Sequence, residues 1–334
     1  MKRLLFVIIA AAALYAGYWF IGSNGATAGF ERWFEERRAE GWVAEVEDIN
    51  TRGFPSRFDT TLTNISLADP DTGVAYSAPF LQIFALSYKP EHLIAVWPNA
   101  QTIGSPYGNA KITSDDMRAS LIVKKNASLA LEKSNFVAEN LSIALDSGEV
   151  FGASKALVAV EQTPAVQNSY HFGLELKDVI LPQPTGLRLE VGLLPKALEY
   201  ARGDVTASFD APWDLKALQS ARPQPRSVDV KLIEAKWGQL ELRLAGAFDV
   251  DEQGRADGKI TIKAQNWRDI LALSAASGAL PSQLVRPIEQ GLSLLSGLSG
   301  NRSTLDLPLD LDNGQMKLGP IPLGPAPLFR LRET

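Results

Sequence analysis

The apolar residues at the start of the chain form one unbroken run. Residues 4–21 carry no charge, and Lys2 and Arg3 directly precede them. As a helix this run is about 27 Å long, at about 1.5 Å per residue, which is close to the hydrocarbon thickness of a bilayer. A helix suits lipid because its backbone groups pair internally. The pattern therefore predicts a membrane helix within residues 1–22.

Two interpretations of this segment stay open. A cleaved secretory signal would use Ala26-Thr27-Ala28 as its small-x-small cleavage site. An uncleaved anchor agrees better with the length of the run and with its bulky end at Tyr18, Trp19, Phe20 and Ile21, because the apolar core of a signal is usually shorter. In either case the remainder is exported. We expect an inner-membrane anchor with the body in the periplasm.

The next segment, 23–41, changes to a helical period with one apolar side. Phe30, Trp33 and Phe34 follow i, i+3, i+4 spacing, and charged residues occupy the other positions. This amphipathic helix is expected to lie on the membrane surface or to pack on its own domain.

From Trp42 onward the apolar period is two, which is typical of β-strands. A shift of the apolar phase after Asn64 indicates a bulge or a crossing between sheets. Residues 195–202 read as a helical turn. The strands are predicted at 58–62, 80–88, 93–97, 109–113, 117–123, 128–132, 136–145, 156–161, 170–180, 188–191, 227–237, 240–249, 258–265, 303–311 and 315–318.

Strands at such short spacings, separated by turns, predict an antiparallel all-β body rather than βαβ units. The expected fold is mainly β, with one or more elongated antiparallel sheets that are curved or sandwich-like, an N-terminal transmembrane helix and a few short helices. Pro223-Gln224-Pro225 is the candidate boundary between a first β-rich part at 42–222 and a second at 223–334. The second part includes two helices near 266–296.

The amino-acid composition excludes several kinds of functional site. The chain has no Cys and only two His, so disulfides and a thiolate zinc site are excluded and a transition-metal site is not expected. The net charge is −5 with scattered Lys and Arg, which gives no footprint for nucleic acid. No nucleophile elbow, P-loop or zinc-protease motif occurs. We therefore expect no enzyme activity, cofactor or metal.

A hydrolase remains the lesser alternative. It would need converging carboxylates, for example around Arg57, Asp59, Asp115 and Asp116.

An excess of apolar strand surface is the main functional signal. Strands 80–88 and 93–97 are apolar on both faces, although few helices are available to cover a sheet. A second sheet would cover this surface in a sandwich, or the surface would line a groove that lipid fills. The candidate groove residues are Phe80, Phe84, Leu86, Tyr88, Ile94, Val96 and Trp97.

Two stretches carry a resemblance to a known family. Residues 52–59 (Arg-Gly-Phe-Pro-Ser-Arg-Phe-Asp) and 84–98 resemble an uncharacterised bacterial envelope family, domain of unknown function 2125. That family carries no known activity or catalytic residues. The motif residues in this chain are Gly53, Phe54, Pro55, Arg57, Phe58 and Asp59.

A more distant resemblance is to AsmA-like proteins, on residues 246–258 and 305–318. It implies an anchored periplasmic body whose curved β groove takes part in phospholipid transport and outer-membrane homeostasis. Together these observations predict a non-enzymatic, membrane-anchored periplasmic protein that binds or shields lipid for envelope maintenance. Its expected partners are membrane lipid and other envelope proteins. The alternative is a structural scaffold whose β surface binds protein.

Overall fold

A single helix of 38 residues, α1 (Lys2–Ala39), begins the fold in the computed structural model. The apolar and amphipathic segments predicted as two elements are therefore one continuous helix. The helix ends where Gly41 adopts a positive φ of 90° and its N–H bonds to the carbonyl of Arg38. Glycine ends helices in this way because it has no Cβ to clash in the left-handed region.

The structure describes residues 1–182, 192–219, 222–278, 280, 282–298, 303–318 and 321–331. The predicted class is confirmed, because this part of the chain is mainly antiparallel β with one long and three short helices. The strands are β1 (Val43–Glu45), β2 (Asp48–Arg52), β3 (Arg57–Ala68), β4 (Ala75–Leu86), β5 (Lys89–Val96), β6 (Ala100–Ser105), β7 (Gly108–Thr113), β8 (Asp116–Val123), β9 (Leu131–Leu145), β10 (Val150–Gln162), β11 (Ser169–Ile180), β12 (Ala197–Phe209), β13 (Pro225–Trp237), β14 (Leu240–Val250), β15 (Ala256–Gln265), β16 (Thr304–Asp312), β17 (Gln315–Leu318) and β18 (Ile321–Pro325). The short helices are α2 (Leu215–Gln219), α3 (Trp267–Ala276) and α4 (Ser282–Leu298).

Two compact units divide the chain. The first comprises 1–125 and 132–150, and the second comprises 126–131 and 151–334. The sequence suggested a boundary at Pro223 instead. The structure differs because β12 and β13, on either side of Pro223, pair along most of their lengths.

In the first unit, β3 lies at the centre of the strands that face α1. It pairs with β1 and β2 on one edge and with β4 on the other, and β4 continues to β5 and β6. Its inward residues are Phe58, Thr60, Leu62, Ile65 and Leu67. The phase shift after Asn64 occurs inside one strand, because Asn64 adopts a left-handed φ of 48°.

The core of the first unit lies between α1 and this face. Phe34 of the helix packs with Ala44, Leu62 and Ile65, and all four side chains are buried. Burying a large apolar side chain contributes about 1.5–3 kcal/mol. The second half of α1 is therefore part of the folded body and not only a tether.

The second unit is an antiparallel meander in which β10 to β16 pair in chain order. One end of its apolar face is covered by α3 and α4, with Trp267 buried against Ala264 and Leu305. The other end is covered by the C-terminal segment, whose Phe329 ring lies 4.6 Å from that of Phe248.

The sequence misassigned one stretch of the second unit. Residues 195–202 were predicted as a helical turn, which is wrong, because from Ala197 onward they form β12, paired with β11. Their side chains favour this pairing because Leu198 and Ala201 lie opposite Val179 and Leu176. The strand predicted at 188–191 lies outside the described residues.

Candidate functional site

Phe54, Arg57 and Phe58 of the family motif form the surface that binds the apolar helix, and we call this surface the socket. Trp19 of α1 is only 5% exposed, and its indole N–H donates to the carbonyl of Arg57 at 2.7 Å. Its ring stacks on Phe58 and meets Phe54 edge-on, with centroid distances of 6.0 Å and 5.4 Å. A buried indole needs such a partner for its N–H, and the motif loop supplies one. The motif therefore holds the helix at the end of its apolar run.

A close approach and further hydrogen bonds fix the helix in the socket. A Cβ added at Gly22 would lie 2.5 Å from the Phe58 ring, so only glycine fits there without movement. The phenol O–H of Tyr18 donates to the carbonyl of Ser87 at 2.6 Å, and the Tyr15 hydroxyl lies 2.9 Å from the Ser87 hydroxyl. Ser87 is fully buried and also bonds to the carbonyl of Pro55. We call residues 53–58 and 87–89 the collar.

The charged residues of the motif point away from the helix. Arg57 and Asp59 alternate with the inward Phe58 and Thr60, and they form an ion pair of 2.9 Å on the outer face. The Arg57 side chain is 59% exposed, so this pair contributes little to stability.

Five of the seven predicted groove residues share the outer face of the first unit. The cross-strand register places Phe84 opposite Asp59 and Ile94, and Leu86 opposite Arg57. The five are Phe80, Phe84, Leu86, Ile94 and Val96. Asp59, Thr61, Gln82 and Arg118 stand among them, so this face is mixed rather than wholly apolar. A shallow pocket of about 330 Å³ is lined by Arg57, Phe84, Ala85, Leu86, His92 and Ile94.

The other two predicted groove residues lie elsewhere. Tyr88 belongs to the turn after β4 and is 59% exposed. Trp97 follows β5, and its ring meets Phe136 at 6.3 Å. Strand alternation places Trp97 in phase with Leu93 and Ala95, which are the inward residues of β5. The structure thus separates these two from the outer patch.

A larger apolar cavity lies on the inner side, between α1 and the sheet. It is an open cavity of about 510 Å³, and its lining includes no charged residue among those described. Ligand pockets commonly have volumes of about 300–1,000 Å³ and mostly apolar walls. The lining residues are Gly25, Ala26, Gly29, Phe30, Trp33, Phe34, Leu62, Ile65, Leu67, Tyr76 and Leu81.

Small residues on the helix create this cavity. Gly25, Ala26 and Gly29 face the large side chains of β3 and β4, and a Cβ added at either glycine would meet no atom within 4 Å. These positions were not predicted from the sequence. The available signal was the spacing of Gly22, Gly25, Ala26 and Gly29 at i, i+3, i+4 and i+7, which puts four small residues on one helix side.

Among the lining residues, Tyr76 carries the one hydroxyl group, and that hydroxyl is hydrogen-bonded. The O–H of Tyr76 donates to the side-chain carbonyl of Gln101 at 2.7 Å. Burial raises the pKa of this phenol above its usual range, so the group is even less prone to ionise than an exposed tyrosine. The cavity therefore offers an uncharged surface suited to hydrocarbon.

The second unit carries an apolar sheet face of its own. One row of directly opposed residues crosses seven strands, and Val158, Leu174 and Ile233 in it are each more than one-third exposed. The row comprises Val158, Leu174, Gly203, Ile233, Leu244, Ile262 and Leu307. The adjacent row on the opposite face is mostly charged instead, and its Glu175, Arg202 and Glu234 form ion pairs across neighbouring strands.

The carboxylates considered for hydrolysis are not neighbours along the sheet. Asp59 is on β3 and Asp116 begins β8, with β4 and β5 between these strands. Three strand spacings amount to about 14 Å across the sheet. Asp115 instead accepts a hydrogen bond from Asn140, and Asp116 pairs with Arg118. The structure does not bring the two acidic groups into one cluster.

Comparison with known proteins identifies a family for this chain. The model of a family described as an uncharacterized protein conserved in bacteria (DUF2125) matches residues 19–327, from Trp19 of the socket to the C-terminal segment. No curated protein and no solved structure matches the chain. The distant resemblance to AsmA-like proteins thus stays a hypothesis.

Proposed function

The chain belongs to the DUF2125 family, and on that premise we propose that it is a non-enzymatic inner-membrane protein that holds a lipid acyl chain against a periplasmic β-rich body. In this proposal the protein shields hydrocarbon from water for envelope maintenance. Lipid is its main partner, and no cofactor or metal takes part.

The cavity between α1 and the sheet is the observation that carries this proposal. Its volume of about 510 Å³ and its uncharged lining suit a hydrocarbon chain. Each CH₂ group transferred from water contributes about 0.8 kcal/mol, so ten buried CH₂ groups contribute about 8 kcal/mol before ordering costs. One wall of the cavity is the second half of the helix that we assign to the membrane, so the cavity lies on the same helix as the membrane-spanning run.

The packing of Trp19 in the socket supports a helix that is retained as an anchor and not cleaved. α1 is the one helix in the described part of the chain that is long and apolar enough to cross a membrane. Cleavage at Ala28 would remove Trp19, Gly22 and Ser23, and would expose the aromatic residues of the socket. A signal peptide that is removed after export has no use for a binding site in the mature body, so this packing supports retention of the helix.

Retention of the helix predicts the mass of the mature protein. Expressed with its native N-terminus in a bacterial host, the protein is expected in the membrane fraction at the mass of the full chain, 36.2 kDa. Intact-mass spectrometry of the membrane fraction measures this directly. A soluble product that begins near Gly29 would contradict the anchor.

Filling the cavity is expected to remove lipid without harming the fold. Gly25→Leu and Gly29→Leu place side chains in the empty space, since an added Cβ meets nothing at either site. Gly17→Leu is the matched control, because Gly17 is on the same helix, is equally open and does not line the cavity. Native mass spectrometry of the full chain, purified in mild detergent, would count the bound lipids. The unmodified protein and Gly17→Leu should retain lipid, and both cavity variants should lose it while the melting temperature is maintained.

The outcomes separate the competing functions. Absence of lipid from the unmodified protein, together with no binding of a fluorescent fatty acid, would refute the proposal. A stoichiometric envelope protein in place of lipid would favour the scaffold alternative.

A further inference from the structure

The free length of α1 is too short to cross a bilayer by itself. Leu4, Leu5, Phe6, Val7, Ile8 and Ile9 are all more than half exposed, and among the described residues the most N-terminal hydrogen bond from α1 to the body is that of Tyr15. Residues 2–14 extend for about 20 Å at about 1.5 Å per residue, whereas the hydrocarbon core of a bilayer measures about 30 Å. The apolar run continues to Ile21, so its last third lies level with the collar.

At this level the helix still exposes apolar groups, although the Phe20 ring also stacks on Phe54 of the collar, with the ring centroids 5.9 Å apart. Phe20 is 56% and Ile21 is 76% exposed, while Trp19 between the collar residues is buried. A helix that enters lipid through residue 21 therefore carries the adjoining collar to the same depth, because three hydrogen bonds fix their relative height.

The exposed surface of the collar has the composition of a membrane interface. Phe54 is 54% and Tyr88 is 59% exposed. Aromatic rings are enriched at the headgroup level of bilayers. Lys89 lies beside Tyr88, and Arg57, which also pairs with Asp59, lies beside Phe58; an unpaired cation near an anionic leaflet contributes about 1 kcal/mol of attraction.

We propose that the collar is a membrane-insertion surface: Phe54 and Tyr88 lie within the interfacial layer of the bilayer that α1 enters. The partner is the lipid bilayer, and the body is seated on it rather than held away on a flexible tether. The proposal rests on the anchoring role proposed above. It adds that the family motif has two surfaces, with the inner one holding Trp19 and the outer one meeting lipid.

The far end of the β3–β4 hairpin supplies a reference point in the same unit. β3 has 12 residues, which span about 36–40 Å. The turn after β3 contacts the β6–β7 turn, because a Cβ added at Gly73 would lie 2.7 Å from Pro106. Tyr107 in that turn is fully exposed. It is therefore expected in water, well away from the membrane.

The absence of Cys from the sequence makes the test direct. Single-cysteine variants Ile9→Cys, Phe54→Cys, Tyr88→Cys and Tyr107→Cys of the full chain would each carry the fluorophore NBD. The proteins would be reconstituted into vesicles of phosphatidylcholine and phosphatidylglycerol, with and without spin-labelled lipid as quencher. We expect labels at residues 9, 54 and 88 to lose fluorescence to the quencher and the label at residue 107 to keep it.

The label positions distinguish the two proposals. Quenching at residue 9 with none at 54 and 88 would overturn the collar insertion and leave the anchor intact. No quenching at residue 9 would refute the anchor itself. Tyr88→Cys keeps the test valid if Phe54→Cys loosens the packing around Trp19, since Tyr88 has no ring contact with Trp19.

Discussion

Replacing Trp19 with alanine is expected to release residues 15–30 of α1 from the body. The indole is buried, contacts Phe54 and Phe58, and donates to the carbonyl of Arg57 at 2.7 Å. Truncation of a buried Trp to Ala typically lowers the free energy of unfolding by about 3–5 kcal/mol. Loss of the indole also leaves the Arg57 carbonyl without its partner, which adds to the cost.

Hydrogen exchange followed by mass spectrometry would locate this effect. In Trp19→Ala, amides at residues 15–30 and 52–60 should exchange faster than in the unmodified protein, because the socket opens locally. Leu14→Ala is the control, since Leu14 is on the same helix and 77% exposed. Unchanged exchange at 52–60 in Trp19→Ala would show that the motif does not depend on the helix.

Alanine at Gly246 is expected to destabilise the second unit. Gly246 has a φ of +148°, and an added Cβ would lie 2.2 Å from the carbonyl oxygen of Lys259 on the neighbouring strand. A residue forced into such a conformation costs about 1–3 kcal/mol, and overpacking costs about 1–3 kcal/mol more. The close approach occurs where β14 passes the register shift between Val230 and Ile233 of β13.

Thermal unfolding, followed by circular dichroism, would measure this loss. Gly203→Ala is the matched control, because a Cβ at Gly203 would make an ordinary contact of 3.5 Å with Leu174. We expect a clear fall in melting temperature for Gly246→Ala and a small change for Gly203→Ala. Equal melting temperatures for the two variants would refute the role given to Gly246.

The two faces of β4 and β5 show how much the hydrophobic periodicity of the sequence can predict. Alternation along β4 and β5 correctly indicated apolar residues on both faces. It could not tell that Phe84 and Ile94 belong to a mixed outer face, while Leu81 lines the cavity beneath α1. Alternation along a strand predicts which residues share one face of the sheet. It does not predict which helix or strand packs on that face, because those elements are distant in sequence.

The family motif is a second case in which the sequence did not predict a tertiary contact, here the contact of a single residue. The sequence singled out Gly53, Phe54, Pro55, Arg57, Phe58 and Asp59, but the long-range partner of this turn is Trp19 in the apolar run. A hydropathy pattern treats Trp19 as one more apolar position. Its indole N–H, however, required a specific acceptor once the residue was buried.

The sequence by itself determined the apolar helix, the antiparallel β class, the absence of thiols and the family motif, because each follows from local composition or spacing. Only the tertiary structure decided that the apolar run and the amphipathic segment are one helix, that the motif is its socket, and that Gly25, Ala26 and Gly29 leave a cavity over β3 and β4. The physical reason is that a cavity arises where small residues on one element face large residues on another. Neither set of residues carries that information alone.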